Sequence, residues 1–158
     1  MPMKYIRLTQ EQFHALAEDF ALFLAAQSID AKSWDLLKNT DAEAVDRQLD
    51  AFSDLVWEEV LTKAVYLEHR TNSDCFVFKA EAQTISVLRF FWSGGMLDWT
   101  EVDLVAWLPS HWSDESLEIS QGTKSYVGDR QQEIFKLIQQ GASIVDAPEY
   151  ASLFLMFS

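Results

Sequence analysis

Polar residues with the chemistry of a binding pocket are concentrated in one short segment of the sequence. Glu68, His69 and Arg70 supply a carboxylate, an imidazole and a guanidinium at consecutive positions. If the segment is a strand, Glu68 and Arg70 share one face and His69 lies on the other, because side chains alternate. The other candidate lining residues are Lys124, Tyr126 and Arg130. These residues predict a pocket for a small molecule or, as we favour, a structural ion pair that ties a helical half to a sheet.

A row of acidic residues is the second distinctive feature. Four acids recur at steps of four residues within a predicted helix and so share one strip of its surface. This acidic ridge consists of Asp46, Asp50, Asp54 and Glu58. Like charges at such spacing destabilise a helix by ~0.2–0.5 kcal/mol per pair. A functional interpretation of the ridge is a docking strip for a basic partner or a weak divalent-cation site. The structural interpretation is a solvated face, or one that contacts bases elsewhere in the chain, such as Arg70.

Metal-ligating and nucleophilic residues are scarce. The chain has one cysteine, Cys75, and three histidines, which are His14, His69 and His111. They lack the spacing of a zinc site, and the Glu-x-x-His sequence ending at His14 has no second copy to complete a di-iron site. Cys75 could approach His69 if two strands pair as a hairpin, but nothing near Cys75 in the sequence marks a base that would activate it. No Gly-x-Ser-x-Gly or phosphate-loop sequence is present, so we predict no metal, no cofactor and no catalytic residue.

Four of the six tryptophans fall between residues 90 and 112. Trp92 ends a predicted strand that is apolar on both sides, and such a strand is covered on both sides. Trp107 lies in an almost wholly apolar segment, so both residues are predicted to belong to the core. Trp99 and Trp112 are flanked by polar turn residues, and these two are predicted to be exposed.

The sequence around these tryptophans is acidic and lacks bases. Residues 90–123 contain six acids and no lysine or arginine. Aromatic rings beside carboxylates suit a cationic group, and aromatic residues anchor many protein interfaces. We therefore predict a recognition edge for a basic protein at Trp99 and Trp112, while carbohydrate stacking on the same rings stays open.

Composition and charge exclude several classes of partner. The chain has 158 residues and a net charge of −13, which fits one soluble domain over residues 1–158. Nucleic acids and anionic membranes both select basic surfaces, so neither is a predicted partner. The single cysteine suits a reducing compartment and the first residues do not resemble a signal peptide, which predicts a cytoplasmic protein. No apolar stretch approaches the ~18 residues that a membrane span requires.

The end of the sequence is apolar all round. Residues 153–157 read Leu-Phe-Leu-Met-Phe, a segment too short to cross a bilayer. Such a segment must be covered, either by its own domain or by a second subunit. A homo-oligomer therefore stays open beside a basic protein as the partner.

Capping residues and apolar periodicity predict the helices of the N-terminal half. These helices cover residues 10–27, 31–39 and 41–65, and their N-caps are Thr9, Asp30 and Thr40. Thr9 and Thr40 are each followed three residues later by Gln or Glu, which completes a capping box.

β-Branched and aromatic residues predict strands in the second half. The predicted strands cover residues 66–70, 75–79, 84–92 and 117–119. Residues 101–108 fit a short helix or a strand, Asp129 caps a helix that ends before Gly141, and a last helix opens at 146–149. The fold class is therefore α+β: a helical N-terminal half of about three helices (9–65) packed on a small antiparallel sheet (66–158), with one or two C-terminal helices.

Several stretches of the chain resemble those of a known family. These stretches are residues 3–9, 52–56, 66–70 and 122–126, followed by Arg130 and residues 133–135. They resemble a family of short, acidic, cytoplasmic bacterial proteins of unknown function, and the resemblance runs from the N-terminus to about Gly141. It implies a single conserved domain. It implies no activity and supplies no catalytic residue, because none is established for the family.

Two functional hypotheses follow from these patterns. The first is a non-enzymatic interaction module that binds a basic protein, or itself, through the acidic ridge and the edge formed by Trp99 and Trp112. The second is a small-molecule-binding protein or an enzyme with a polar pocket around residues 68–70 and Tyr126. A flat, apolar, acid-rimmed patch favours the first, and a deep pocket with converging polar groups favours the second. We favour the first.

Overall fold

The structure is a computed structural model that describes residues 3–157. It confirms the predicted α+β class, with N-terminal helices followed by an antiparallel sheet and C-terminal helices. The chain forms two compact units, Met1–Thr62 and Lys63–Ser158. The single domain expected from the sequence stays a prediction.

The N-terminal helices are α1 (Gln10–Ala15), α2 (Ala17–Ala25), α3 (Ala31–Thr40) and α4 (Ala42–Lys63). The predicted capping box is confirmed, because Thr9 and Gln12 exchange hydrogen bonds of 2.8 and 3.1 Å. The single helix predicted over residues 10–27 is instead divided in two. Leu16 separates α1 from α2 because its backbone, with φ −107° and ψ 24°, leaves the helical region.

The N-cap of α4 is Asp41 and not Thr40 as predicted. Asp41 accepts a hydrogen bond of 3.1 Å from the backbone N–H of Ala44. Thr40 ends α3 instead, and its hydroxyl donates to the carbonyl of Leu36 at 2.7 Å. Both residue types cap helices, but aspartate is the stronger N-cap, and the helix begins one residue later than the pattern suggested.

Aromatic rings form the core of the first unit. Phe52 of α4 is 2% exposed, and its ring centroid lies 5.0–5.9 Å from three phenylalanines of the first two helices. These are Phe13, Phe20 and Phe23. Trp34 of α3 meets Phe20 edge-on at 5.4 Å. The aromatic face predicted for residues 10–27 is therefore half-buried against α3 and α4.

The second unit is built on a five-stranded antiparallel sheet with the order β4-β3-β2-β1-β5. Its strands are β1 (Tyr66–Arg70), β2 (Asp74–Ala80), β3 (Thr84–Trp92), β4 (Leu117–Ser125) and β5 (Ser143–Val145). The prediction for β3 matches in full, whereas β4 is longer than predicted and β5 was not predicted. Both are edge strands. The polar residues of β4 have no alternating apolar pattern, so the sequence did not predict that the strand continues through them.

Helices cover the two faces of the sheet. They are α5 (Leu104–His111), α6 (Arg130–Gln139) and α7 (Tyr150–Met156), with a 3₁₀ turn at Trp99–Glu101. The segment that fitted helix or strand is helical: Asp103 caps α5 by accepting from Ala106 at 3.5 Å, and Pro109 lies inside the helix. Gly141 follows α6 with φ +117°, as its predicted C-terminal position requires.

The 3₁₀ turn, α5 and α7 pack on one face of the sheet. The buried core there comprises Cys75, Val77, Leu88, Phe90, Trp99, Leu104, Leu108, Tyr150, Leu153 and Phe154, with Tyr66 and Ala147. His69 lies on the other face, where its ring closely approaches Gly141 at the end of α6. Neighbouring residues of β1 therefore lie in two different environments, one on each face of the sheet.

Candidate functional site

The residues predicted to form a polar pocket are divided between separate places in the second unit. Glu68 and Arg70 lie on one face of β1, where their side chains form an ion pair of 3.1 Å. His69 lies on the opposite face, with its ring centroid 6.2 Å from that of Phe76. The three consecutive residues therefore do not converge on one ligand.

Tyr150 of α7 completes a network with Glu68 and Arg70. Its hydroxyl donates to Glu68 Oε2 at 2.8 Å and accepts from Arg70 at 3.0 Å. Arg70 also donates to the carbonyl of Trp99 at 3.1 Å and to that of Val102. Burial raises the pKa of Tyr150 to about 12, and the carboxylate of Glu68 acts in the same direction. The network ties α7 and the 3₁₀ turn to β1, which is a structural role within the sheet unit.

The thiol of Cys75 is buried on the same face as Arg70. Cys75 pairs with Arg70 in the register of β1 and β2, whereas His69 pairs with Phe76. Residues that pair directly share a face, so Cys75 and His69 lie on opposite faces and cannot form a nucleophile–base pair. Burial raises the pKa of Cys75 to about 11, and the charge of Arg70 only partly opposes this. A thiol with that pKa is protonated at neutral pH and is a poor nucleophile.

Lys124, Tyr126 and Arg130 lie at the other end of the β1–β2 hairpin. Arg130 donates to three backbone carbonyls around the start of β1 and the end of β2, and the hydroxyl of Tyr126 donates to one of them at 2.7 Å. The acceptors are Ala64, Ala80 and Glu81. Lys124 forms an ion pair of 3.5 Å with Glu133. Burial raises the pKa of Tyr126. These side chains therefore stabilise the end of the hairpin away from its turn, and they do not face Glu68 and Arg70.

The acidic ridge on α4 contacts a non-helical segment of the same unit, residues 4–8. The carboxylate of Asp54 accepts the backbone N–H groups of Lys4 and Tyr5 at 2.8 and 2.9 Å. Glu58 accepts the Lys4 ammonium at 3.1 Å and also the hydroxyl of Tyr5. Burial raises the pKa of Tyr5 to about 12, and Glu58 adds to the rise.

Arg7 pairs with the other half of the acidic ridge. Its Nε donates to Asp50 at 2.6 Å, and its guanidinium lies 3.4 Å from Asp46. The backbone N–H of Leu8 donates at 3.0 Å to the hydroxyl of Ser53, which is fully buried. Every acid of the ridge thus has a partner within its own unit, and Lys4 and Arg7 supply the bases. Docking of another protein on the ridge stays a prediction.

Trp99 is 1% exposed, so the prediction that it lies at an exposed edge is wrong. Its ring packs against Phe90 and Trp107, with centroid distances of 6.3 and 5.2 Å. The polar neighbours in the sequence are explained by capping, since Asp98 accepts from the backbone and the hydroxyl of Thr100 at 3.0 and 2.7 Å. Polar residues that cap a 3₁₀ turn need not expose the ring between them.

Trp112 is 52% exposed and borders an apolar groove between α5 and α7, here called the α5–α7 groove. The groove has a volume of about 330 Å³. Its lining residues are Val105, Leu108, Pro109, Trp112, Ser152, Leu153, Met156 and Phe157. Met156 is 56% exposed and Val105 is 37% exposed. Both helices therefore present apolar side chains to solvent at this groove.

The two segments that build the α5–α7 groove carry acids and no bases. Residues 90–123 and 137–157 contain no lysine or arginine. Their acids are Asp98, Glu101, Asp103, Asp114, Glu115, Glu118, Asp146 and Glu149. All eight are exposed, and none forms an ion pair with another residue in the range 3–157. In these segments, exposed apolar side chains and acids without an ion pair lie near one another in the sequence.

His111 has a local role near the same groove. Its ring stacks on that of Trp107 at 4.0 Å, and its Nδ1 lies 2.8 Å from the Trp107 carbonyl. In the part of the chain that the structure describes, no three side chains of the types His, Cys, Asp and Glu come together as a possible metal site. Across the same residues, no helix has the length and apolar character needed to cross a membrane.

These features define a small α+β protein whose partly buried charges pair within the protein and which has an exposed apolar groove between α5 and α7. The chain belongs to a family of unknown function, DUF6495, whose family model matches residues 3–158. The resemblance to an uncharacterised family is thereby confirmed, and the match continues beyond Gly141. No curated protein and no solved structure matches the chain.

Sequence reasoning missed two contributors to these sites. Tyr150 bridges Glu68 and Arg70, but it lies 82 residues from Glu68 and nothing local marks the contact. The α5–α7 groove was missed as well. The signal for it is the excess of apolar residues in α7, since the face that packs on the sheet uses Leu153 and Phe154 and leaves Met156 exposed.

Proposed function

We propose that this protein is a non-enzymatic interaction module that binds a basic protein through the α5–α7 groove. The observation that carries the proposal is an exposed tryptophan at the border of an apolar groove whose own segments bear only acidic charge. A partner that buries Trp112 and Met156 would remove apolar surface from water. This burial favours binding by a free energy of ~25 cal/mol per Å². Tryptophan is also among the residues that most often dominate binding energy at interfaces.

Charge favours a basic partner over a second copy of the chain. Two copies that met at the α5–α7 groove would bring exposed acids such as Glu115 and Glu149 against one another, which disfavours association. A partner rich in lysine and arginine would instead be attracted to the groove. The acidic ridge is a weaker candidate, because its carboxylates already accept hydrogen bonds from Lys4, Tyr5 and Arg7. A cytoplasmic location belongs to the proposal, since the single cysteine suits a reducing compartment.

A small-molecule pocket or an enzyme has less support. A ligand site needs polar groups that converge on a concave space. The network of Glu68, Arg70 and Tyr150 is closed on itself, while Tyr126 and Arg130 bind backbone carbonyls at the other end of the hairpin. Most polar groups of both sets already have partners, although Nε of Arg70 is buried without one, and this leaves few groups to recognise a substrate.

Site-specific photocrosslinking tests the proposal. The full chain is produced in its own host with a photoreactive phenylalanine analogue in place of Trp112. The matched control carries the same analogue at Met96, a fully exposed residue that does not line the groove. We expect adducts at position 112, absent at position 96, that mass spectrometry identifies as proteins with an excess of lysine and arginine. The same adducts at both positions, or none at 112, would contradict the proposal.

A further inference from the structure

We infer that the α5–α7 groove recognises an amphipathic helix with apolar residues on one face and lysine or arginine on the other. The inference rests on the proposed function and names the form of the partner. It follows from the shape of the groove, from its few hydrogen-bonding groups and from the charge around it, each of which excludes another kind of partner.

The walls of the groove are two helices, α5 and α7, that lie on the same face of the sheet. Side chains on neighbouring helices form ridges and grooves into which the ridge of a third helix fits. Helical ligands in such grooves use apolar anchors at positions i, i+3, i+4 and i+7. Val105 of α5 and Trp112, the residue that caps its C-terminus, are seven positions apart and both line the groove, so they are positioned to contact successive anchors of that kind.

The groove offers little to an extended peptide. Each residue of an extended chain carries an N–H and a C=O that need partners when they are buried. Ser152 supplies the only hydroxyl among the lining side chains, and it already donates to the carbonyl of Glu149 at 2.8 Å. No strand edge lines the groove, so a peptide cannot bind there by extending the sheet. A helix satisfies its own backbone groups and avoids this cost.

The negative charge near the groove determines which residues we expect on the polar face of the bound helix. Exposed acids lie next to the groove in sequence at both of its helices: Asp103 caps α5, Asp114 and Glu115 follow Trp112, and Glu149 precedes α7. A neutral helix would gain only the apolar contact, and an acidic helix would in addition be repelled. Lysine or arginine beside the apolar anchors would add electrostatic attraction, and this part of the affinity would fall as salt is added.

A peptide titration against the full chain tests the inference. The first peptide has about 18 residues, with leucines on one helical face and lysines elsewhere, a length that gives about five turns. The second has the same composition in an order that leaves no apolar face, and the third has glutamate in place of lysine. Affinity is measured by calorimetry, contact with Trp112 by fluorescence and helix formation by circular dichroism. We expect the first peptide to bind at least about tenfold more tightly than either of the others and to become helical as it binds.

Two substitutions locate the binding. Met156→Lys puts a charge in the groove, whereas Met96→Lys adds the same charge at an exposed methionine outside it. We expect Met156→Lys to weaken the binding of the first peptide about tenfold or more, and we expect Met96→Lys to leave its affinity unchanged. Because Met156 is 56% exposed, the variant should fold, and circular dichroism checks that it does.

Other outcomes would overturn the inference. Equal binding of the reordered peptide would show attraction by charge alone, and equal effects of the two lysine variants would place the peptide elsewhere. A dimer of the chain that Met156→Lys dissociates, without peptide binding, would identify a second copy as the occupant. If crosslinking at position 112 finds a basic protein but no helical peptide binds, the proposed function stands and the helical partner is wrong.

Discussion

The acidic ridge on α4 and the acids around the α5–α7 groove have the same charge and opposite relations to the rest of the protein. The ridge carboxylates are held by Lys4, Tyr5 and Arg7 at distances of 2.6–3.4 Å. The acids around the groove form no ion pair with any residue that the structure describes. Acidic residues in a row are therefore not by themselves a docking surface, and the distinction depends on whether the chain supplies the bases.

The difference also separates two uses of charge in one small protein. Carboxylates that accept backbone N–H groups fix the path of the chain, as Asp54 does for residues 4 and 5. Carboxylates left in water beside an apolar groove and without a capping role, such as Glu115 and Glu149, contribute little to stability and remain available to a partner. Substitutions in the first group should therefore change stability, and substitutions in the second should change binding.

The largest effect is expected at Asp54. Asp54→Ala removes the acceptor of two backbone N–H groups, and hydrogen bonds to a charged group contribute about 1.5–3 kcal/mol each. Because water can replace part of that loss at residues 4 and 5, we expect the free energy of unfolding to fall by about 2–3 kcal/mol. Urea denaturation followed by circular dichroism measures the change, and faster amide exchange at Lys4 and Tyr5 would locate it.

Asp54→Asn is the matched control. Its amide oxygen still accepts one hydrogen bond but carries no charge, so we expect about half of the loss. If Asp54→Ala left both the unfolding free energy and the amide exchange of residues 4 and 5 unchanged, the ridge would have no structural role and would resemble the acids around the groove.

The Glu68–Arg70–Tyr150 network should behave like the ridge. Tyr150→Phe removes a hydroxyl that donates to Glu68 and accepts from Arg70, and we expect a loss of about 1–2 kcal/mol. The variant also tests a pH dependence. The pKa of Tyr150 is raised from 10.0 to about 12, so the neutral phenol favours the folded state. Its contribution is complete below pH 10 and is lost as the pH rises through about 12.

The wild-type melting temperature, followed by circular dichroism, should therefore fall between pH 10 and 12, and Tyr150→Phe should flatten that fall. Tyr5→Phe is the control, because the pKa of Tyr5 is raised to about 12 by its own burial and by Glu58. Each variant should remove only its own part of the alkaline loss. An unchanged profile in Tyr150→Phe would mean that the phenol does not stabilise the sheet unit.

The sequence predicted what depends on neighbours along the chain. The Thr9 capping box, the Asp30 cap and strands β1 to β3 all follow from residues within a few positions of one another, and all are present. The α+β class followed from their order. Edge strands were harder to predict from the sequence, since β4 pairs with β3 through its backbone and its polar residues need no apolar pattern.

The candidate sites were harder to predict because their contacts span the sequence. Lys4 meets Glu58 over 54 positions, so the ridge could be seen in the sequence but its partners could not. The burial of Trp99 depends on Phe90 and on Trp107 in three dimensions, and its polar neighbours pointed the other way. The exposure of Trp112 was predicted, but the groove beside it required the relative positions of α5 and α7.

Charge reversal compares the two acidic regions directly. Asp50→Lys replaces the acceptor of Arg7 by a like charge, and we expect a loss of about 1 kcal/mol, because an exposed pair contributes ~0.2–1 kcal/mol and repulsion adds to its loss. Glu115→Lys, beside the groove, should change stability by less than about 0.5 kcal/mol. Urea denaturation measures both variants. Equal losses would remove the distinction between the two regions.

A substitution at the groove should affect stability less than one in the core. Trp112→Ala should lower the free energy of unfolding by about 1 kcal/mol, since the ring is 52% exposed, whereas truncation of a buried tryptophan costs about 3–5 kcal/mol. The same variant should lose most of the tryptophan fluorescence that acrylamide quenches, because the other five tryptophans are buried or half-buried. A loss of about 2 kcal/mol or more would instead place Trp112 in the core. The ring would then be unavailable to a partner, and the groove would be part of the fold rather than a surface that binds.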